Sequence, residues 1–369
     1  MTGDSSSAEI PTRAPAPRFA PLLIVVAVAR YLIIGAGAIG GGIGARLLQA
    51  GHQVVLVARG DHLRALQEHG LRLRTPEEDV VLPVTAVAGP DDMNLRPDDV
   101  LVLATKTHQA PDALATWADV EVAGGGTAGE QLPILTALNG VVSEDLALRY
   151  FARVYGVCVW MWAAHLTPGE VILEGVPASG VFHIGRVPAI SADEADARFL
   201  DQLRGDWTPS RLSTVLPPDV MAWKYRKLLS NVGNAIQALL GRQPGVGDLV
   251  RAAEAEGRSV LDAAGTNYTS DEEEAAARAK SFTVKPVPGL PEFLGGSTWQ
   301  SLSRGTGNVE TDYLNGELVR IARQHEMAAP INAKLAALAR RAARTHQQPG
   351  ELSVDELARQ LGLQPPLPA

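Results

Sequence analysis

Gly35, Gly37 and Gly40 fall directly after an apolar run and at the start of a helical one, in the stretch "YLIIGAGAIGGGIGARLLQAG". In that context a G-x-G-x-x-G spacing makes a tight turn, lets the backbone approach a pyrophosphate and packs the helix close to its strand. The helix N-terminus turns unpaired N–H groups and a positive dipole end toward the phosphates. Gly35, Ala36, Gly37, Ala38, Ile39 and Gly40 are therefore expected to form the cofactor-binding turn of a dinucleotide site.

The end of the second apolar run decides which dinucleotide. An NAD-type site places Asp or Glu there, about 20 residues after the glycines, to accept the ribose hydroxyls. This chain has "VARG" instead, and Arg59, with no acid before Asp61, suits a 2′-phosphate and so NADP(H). Lys106, in "LATKTHQ", is a second candidate cation for the same region. Asn139, in "ALNG", closes another nonpolar run. It offers a donor and an acceptor to cofactor or substrate, although Asn-Gly is also ordinary turn chemistry.

A second group of candidates lies on helices. Setting residues 219–240 at about 100° per residue puts Met221, Tyr225, Leu228, Leu229, Val232, Ile236 and Leu239 on one apolar arc. The opposite arc carries Trp223, Lys227, Asn231 and Asn234. Asparagine is a poor helix former, so two on one stripe with a lysine point to ligand contacts; a plain solvated face is the alternative. In "NVETDYLNGELVRIARQ", Glu310 lies on the apolar arc near a helix start, and Glu317 falls on the same arc, so spacing does not choose between them. A carboxylate there also suits the helix dipole. The single cysteine, Cys158, excludes an intrachain disulfide and a cysteine-rich metal site; it reads as a small buried hydrophobe. The histidines, among them His52, His165, His183 and His325, lack paired ligand spacings, so no metal is expected.

The elements that must position these residues follow from periodicity. Apolar runs at 31–35, 53–58, 99–105 and 133–139 alternate with helical segments, the pattern of an α/β doubly wound sheet. The carboxyl ends of its strands then bring Gly35, Arg59, Lys106 and Asn139 to one edge, where ligands bind. A further β-rich stretch extends this domain over 30–215. Four segments of helical period after "STVLPPD" make 216–346 an all-α domain, and 347–369 is expected to be a loosely attached tail. Residues 1–29 read as an extension, with a natural start near Val26 or Val28; the apolar Pro21–Ala29 is too short to span a bilayer. A net charge of −8 without a long basic block argues against nucleic acid or an anionic membrane as partner, and a cytoplasmic location is the default.

In their order, "IIGAGAIGG", "LVARG", "TKTHQ", "LNG", "KLLSN" and "NVETDYLNG" followed by "RQHEMAAPIN" resemble the ketopantoate reductase (2-dehydropantoate 2-reductase) family over about residues 30 to 345. The resemblance implies a Rossmann-type domain followed by an all-α domain similar to the C-terminal domain of 6-phosphogluconate dehydrogenase. It implies NADPH-dependent reduction of a small 2-oxo acid, ketopantoate to pantoate on the route to pantothenate and coenzyme A, by a homodimer. Carried over residue by residue, Lys227 matches the catalytic lysine and general acid, and Glu310 the acid beside cofactor and substrate, expected to hold Lys227 by its charge. Asn139 matches the asparagine touching both ligands and Asn231 a substrate-binding one. Thr298, in "GSTWQS", stands for a serine that contacts the substrate carboxylate.

The chain departs from the family at four places. Ala235 occupies the position of a further asparagine, with Asn234 one residue earlier as its substitute, and Val142 replaces a glycine. Gly295 replaces an asparagine and Trp299 a smaller apolar residue. These changes bear on substrate identity, so reduction of another branched or bulky 2-oxo acid stands as the alternative. A noncatalytic NADPH-binding sensor is a third reading, which retention of Lys227 and Glu310 opposes.

Overall fold

The computed structural model describes residues 29–279, 282–305 and 307–364; the expected extension before Arg30 lies, but for Ala29, outside the described residues. The chain begins β1 (Arg30–Ile34), α1 (Ala38–Gln49), β2 (Gln53–Val57) and α2 (Gly60–His69). A hairpin of β3 (Leu71–Arg74) and β4 (Asp79–Leu82) leads to β5 (Thr85–Val87) and β6 (Asp99–Leu103). Helices α3 (Ala110–Ala118) and α4 (Ala128–Gln131) precede β7 (Pro133–Thr136), and α5 (Ser143–Ala147) precedes the long β8 (Arg153–Met161). Then come β9 (Ala163–Ala164), β10 (Glu170–Leu173), β11 (Gly175–Pro177), β12 (Gly180–Val187), α6 (Glu194–Trp207) and β13 (Leu212–Val215). Beyond Val215 the chain is mainly helical: α7 (Val220–Asn231), α8 (Gly233–Leu240), α9 (Val246–Ala263), α10 (Asp271–Ala279), the short β14 (Phe282–Val284), α11 (Ser297–Ser303), α12 (Asn315–Gln324), α13 (Pro330–Arg344) and α14 (Val354–Leu361).

Eight strands form one sheet in the order β13-β12-β8-β7-β6-β1-β2-β5. All neighbours are parallel except β8 and β12. β1 and β6 are buried at every position, as a sheet covered on both faces requires. A smaller sheet, β4-β3-β10-β9, closes over α1. It can do so because α1 is rich in glycine: a Cβ on Gly41 would lie 2.6 Å from Val171 Cγ1, and one on Gly42 2.7 Å from Leu173 Cδ2. The short strands of this second sheet carry no long apolar run, which is why they do not stand out in the sequence.

Three features of the helical part differ from the periodicity reading. First, β14 pairs antiparallel with β11, so this part is not purely helical. Second, the helix expected over 219–240 breaks at Val232, whose carbonyl accepts from Asn315 Nδ2 (3.1 Å); a side chain inserted into the ladder is a usual cause of such a break. Third, Glu310 is not on the long helix: Glu310–Tyr313 is a single 3-10 turn, cut off from α12 by Leu314 at φ −116°, ψ −93°.

The segment after residue 346 was expected to be loosely attached, and the structure differs. Val354, Leu357, Ala358 and Leu361 of α14 are buried in the same core cluster as α8, α9 and α13. Ser353 caps α14 through Glu356 N, and Leu352 N donates to Leu239 O (3.3 Å). The run of prolines and glycines around it obscured an eight-residue amphipathic helix. Leu357→Ala should therefore destabilise the protein by about 2–5 kcal/mol, measured by urea denaturation; a change below about 0.5 kcal/mol would restore the loose-tail reading.

Candidate active site

The glycine turn leaves β1 at the centre of the sheet. Gly35 adopts φ +99°, and a Cβ there would stand 2.9 Å from Thr105 N. A Cβ on Gly40 would overlap the Gly35 carbonyl, whereas nothing lies within 4 Å of where one on Gly37 would be. The first and third glycines are thus required by the protein's own packing, and the second leaves open space. Helix α1 has no side-chain cap at Gly37 and no acid in its first turn, and its first ladder bond runs from Gly41 N to Gly37 O (2.7 Å). The N–H groups before it have no partner within the helix. Gly35, Gly37, Ala38 and Ile39 line a cavity; Ala36 and Gly40 pack beneath it. His62 holds the turn from behind, its Nε2–H donating to Ala36 O (2.8 Å) while Nδ1 accepts from Gly169 N (2.9 Å).

Arg59 and Lys106 do not act on the same region. Arg59 follows β2 and is exposed, with no ion pair among the described residues. Lys106 follows β6, on the other side of β1, so the two strand ends are about 10 Å apart. Lys106 Nζ is also committed, donating to Glu310 Oε2 (2.8 Å). Lys106 is therefore not a second free cation for the Arg59 region, as the sequence suggested, although it borders the cavity.

The cavity encloses about 590 Å³ between the sheet edge and the helical part. Lys227, Asn231 and Asn234 all face it, with Asn139 opposite. Lys227 Nζ donates to Asn139 Oδ1 (2.9 Å) and to the Val159 carbonyl, and Asn231 Nδ2 reaches the same Asn139 oxygen at 3.5 Å. Two donors converging on Oδ1 leave the Asn139 amide nitrogen for another partner. The Trp160 ring lies 5.4 Å from Lys227 Nζ. Burial pulls the Lys227 ammonium down to about 8, helped by the like charges of Lys224 and Arg278 and opposed by Cys158 and Glu310. Trp223, from the same arc, does not line the cavity but stacks on His183 at 3.8 Å.

Glu310 does not hold Lys227 by a hydrogen bond. Its Oε1 accepts from Thr107 N and Oγ1, both 2.9 Å, and its Oε2 takes Lys106. Burial pushes this carboxyl up, but Lys106 and the Thr107 donors outweigh it and hold it below the usual carboxylate range. Glu310 thus ties the 3-10 turn to the end of β6 and still borders the cavity.

Thr298 is displaced from its expected role. It is 3% exposed and does not border the cavity, whereas its neighbour Ser297 does. The turn before it is shaped by Gly295 at φ +71°, where a Cβ would run into the Trp299 ring. Gly296 N donates to Gln237 Oε1 (2.9 Å). Gln237 was missed by sequence reasoning, although it continues the Lys227–Asn231–Asn234 stripe by one more turn. Trp160, Trp162 and Phe293, also missed, form an apolar wall; aromatic residues in strands and loops carry no periodic signal that separates wall from core. Among the described residues no cluster of potential metal ligands occurs, and no helix is long and apolar enough to cross a membrane.

Comparison with known proteins gives a consistent family. A model described as ketopantoate reductase PanE/ApbA matches residues 31–189, and its C-terminal counterpart matches 219–343. The 2-dehydropantoate 2-reductase of Pyrococcus horikoshii is 25% identical over 316 residues, 84% of this chain and 96% of the relative. The crystal structure of a PanE/ApbA family ketopantoate reductase from Ralstonia eutropha JMP134 matches with a TM-score of 0.69 at 26% identity, covering 86% of this chain and 100% of that one. A D-mandelate dehydrogenase with NADH and anilino(oxo)acetate shares the fold, with a TM-score of 0.71 at 21% identity over 86% and 99% of the two chains.

Glu310→Gln should destabilise the protein by about 2 kcal/mol at neutral pH, through loss of charge-assisted bonds. Because the Glu310 carboxyl is held below its unfolded value, its contribution is present above about pH 4.3 and lost as pH falls through the folded value. Urea titrations of both proteins should therefore converge in acid; a gap independent of pH would contradict this assignment.

Proposed function

The chain belongs to the ketopantoate reductase family, and from that premise we propose that it reduces a 2-oxo acid to a 2-hydroxy acid with NADPH, ketopantoate to pantoate in pantothenate and coenzyme A biosynthesis. It is an oxidoreductase acting on a CH–OH group with a nicotinamide cofactor. The open space at Gly37 and the uncapped start of α1 fit the pyrophosphate of such a cofactor. The observation that carries the catalytic reading is Lys227: a lysine with its acidity raised by burial, held on Asn139 in a cavity continuous with the glycine turn.

When bound, the nicotinamide supplies the hydride that reduces the carbonyl carbon. Lys227, as a cation, offsets the charge developing on the carbonyl oxygen and donates a proton to it from Nζ. Asn139 Oδ1 and the Val159 carbonyl aim that ammonium without neutralising it, since neither is charged. Asn231, Asn234 and Ser297 border the cavity as neutral hydrogen-bonding groups suited to a substrate carboxylate. Trp160 covers the Lys227 side and excludes water there. Arg59, exposed at the end of β2, is the group that would contact the 2′-phosphate. The proposal includes a cytoplasmic homodimer.

A second reading keeps this chemistry and enlarges the substrate. The apolar wall of Trp160, Trp162 and Phe293 favours a bulkier 2-oxo acid. NADPH oxidation by purified protein with ketopantoate and with branched and aryl 2-oxo acids separates the two. Turnover of ketopantoate in preference to the others supports the first; preference for aryl acids supports the second; NADPH binding without any turnover leaves the sensor. For cofactor choice, Arg59→Ala should raise KM for NADPH about tenfold or more while leaving that for NADH nearly unchanged, as loss of one charge-assisted phosphate contact requires. An equal change for both cofactors would remove Arg59 from the assignment.

A further inference from the structure

Lys227 is not the only lysine that α7 sends toward the Asn139 segment. Lys224, three residues earlier and so on the same helix face, forms an ion pair with Glu144, the two side chains being 2% and 1% exposed. Lys224 Nζ also donates to the carbonyl of Leu138 (3.3 Å), the residue before Asn139. Glu144 accepts in addition from Thr136 Oγ1 (2.6 Å), at the end of β7, and from Ser143 Oγ (3.2 Å). These contacts fall on the end of β7 (Thr136), on the start of α5 (Ser143, Glu144) and, at Leu138, on the loop between them that carries Asn139.

The slot for this pair is built into the sheet. Gly156 of β8 and Gly185 of β12 are register partners, and Cβ atoms there would stand 3.1 Å from Val220 side-chain carbons; the one on Gly156 would also lie 3.5 Å from Glu144 Cγ. Two adjacent glycines thus let the start of α7 settle onto the strands with the Glu144 side chain beneath it. A buried ion pair adds little stability over an apolar pair of the same volume. What it adds is register: an ammonium with fixed acceptors on one loop cannot slide by a turn.

We propose that Lys224 and Glu144 are positioning residues, a buried pair that locks α7 against the Asn139 loop and so sets the contact between Lys227 Nζ and Asn139 Oδ1. Neither borders the cavity; they act through Lys227. The inference rests on Lys227 as the proton donor. The Lys224 ammonium is also a like charge near Lys227, and the other groups facing Lys227 are Cys158 from β8, Glu310 from the 3-10 turn and Arg278 from α10. Beside the pair, Asp145 of α5 is pushed up, by burial first and then by Glu144.

The chain has six lysines, so NMR of ε-labelled lysine can follow Lys227 across pH, its signal assigned by its loss in Lys227→Met. This titration is measured for the wild type, Lys224→Met, Lys224→Arg and the apolar double variant Lys224→Met/Glu144→Leu, together with NADPH-dependent reduction of ketopantoate and NADPH affinity. Lys224→Met should make Lys227 titrate at higher pH, because it removes a neighbouring ammonium and leaves the Glu144 charge, and kcat should fall on the order of 10- to 100-fold with NADPH affinity unchanged. Lys224→Arg should restore both. If Lys224→Met does not fold, the double variant carries the test: folded, with kcat still reduced; because it removes both charges together, a Lys227 shift in it reads the lost contact and not a lost ammonium. Wild-type titration and kcat in either folded variant would overturn the proposal, as would a loss of kcat matched only by the unfolded fraction. Absence of turnover by the wild type would count against the reductase reading, and the Lys227 titration would still decide this one.

Discussion

The bond from Lys227 Nζ to Asn139 Oδ1 joins the two halves of the molecule at the place where chemistry is expected. One side comes from a helix beyond the sheet, the other from the carboxyl end of a central parallel strand. The constraint behind it is electrostatic. A lysine is a useful acid near neutral pH only if water is partly withdrawn from it, and an ammonium so withdrawn must be given acceptors that do not carry a full negative charge. An amide oxygen and a main-chain carbonyl meet that condition. A carboxylate in direct contact would raise the lysine's pKa and blunt it. Glu310, which borders the same cavity and acts on Lys227 by charge alone, makes its hydrogen bonds to Lys106 and Thr107 instead.

The remaining architecture serves that contact. Glycines in α1 bring the small sheet down over the first helix, and glycines in β8 and β12 bring α7 down onto the large one. Glu310 ties the 3-10 turn to β6, and α14 completes the core around α8, from which Gln237 reaches the Gly296 turn. The cavity between the halves is therefore bounded in part by elements anchored on the other half: the Glu310 turn on the end of β6, and α7 on β8 and β12.

Much of this was legible from residue types and spacing. The strand–glycine–helix unit identified itself because each glycine answers a separate steric demand, and two of the three are met by the protein's own atoms. The Lys227–Asn231–Asn234 stripe was legible because asparagine in a helix interior opposes local propensity, and the structure places all three on the cavity. The failures have equally local causes. Spacing could not separate Glu310 from Glu317, and the break at Leu314 that puts Glu310 in its own turn leaves no compositional mark. Thr298 was one residue out of register, since a short helix start after two glycines fixes facing only through tertiary contacts with Gln237 and Trp299. Lys106 was grouped with Arg59 because both follow strands, and only the strand order, with β1 between them, divides them.

The central claim is that a partly desolvated Lys227 supplies the proton. The most direct measurement is the pH dependence of kcat/KM for NADPH-driven reduction of a turned-over 2-oxo acid. Since the protonated form is the active one and its pKa is lowered to about 8, kcat/KM should be level on the acid side of that value. It should then fall about tenfold per pH unit above it. A profile that stays flat to the ordinary lysine range near pH 10, or one whose basic limb persists unchanged in Lys227→Met with the rate intact, would contradict the account.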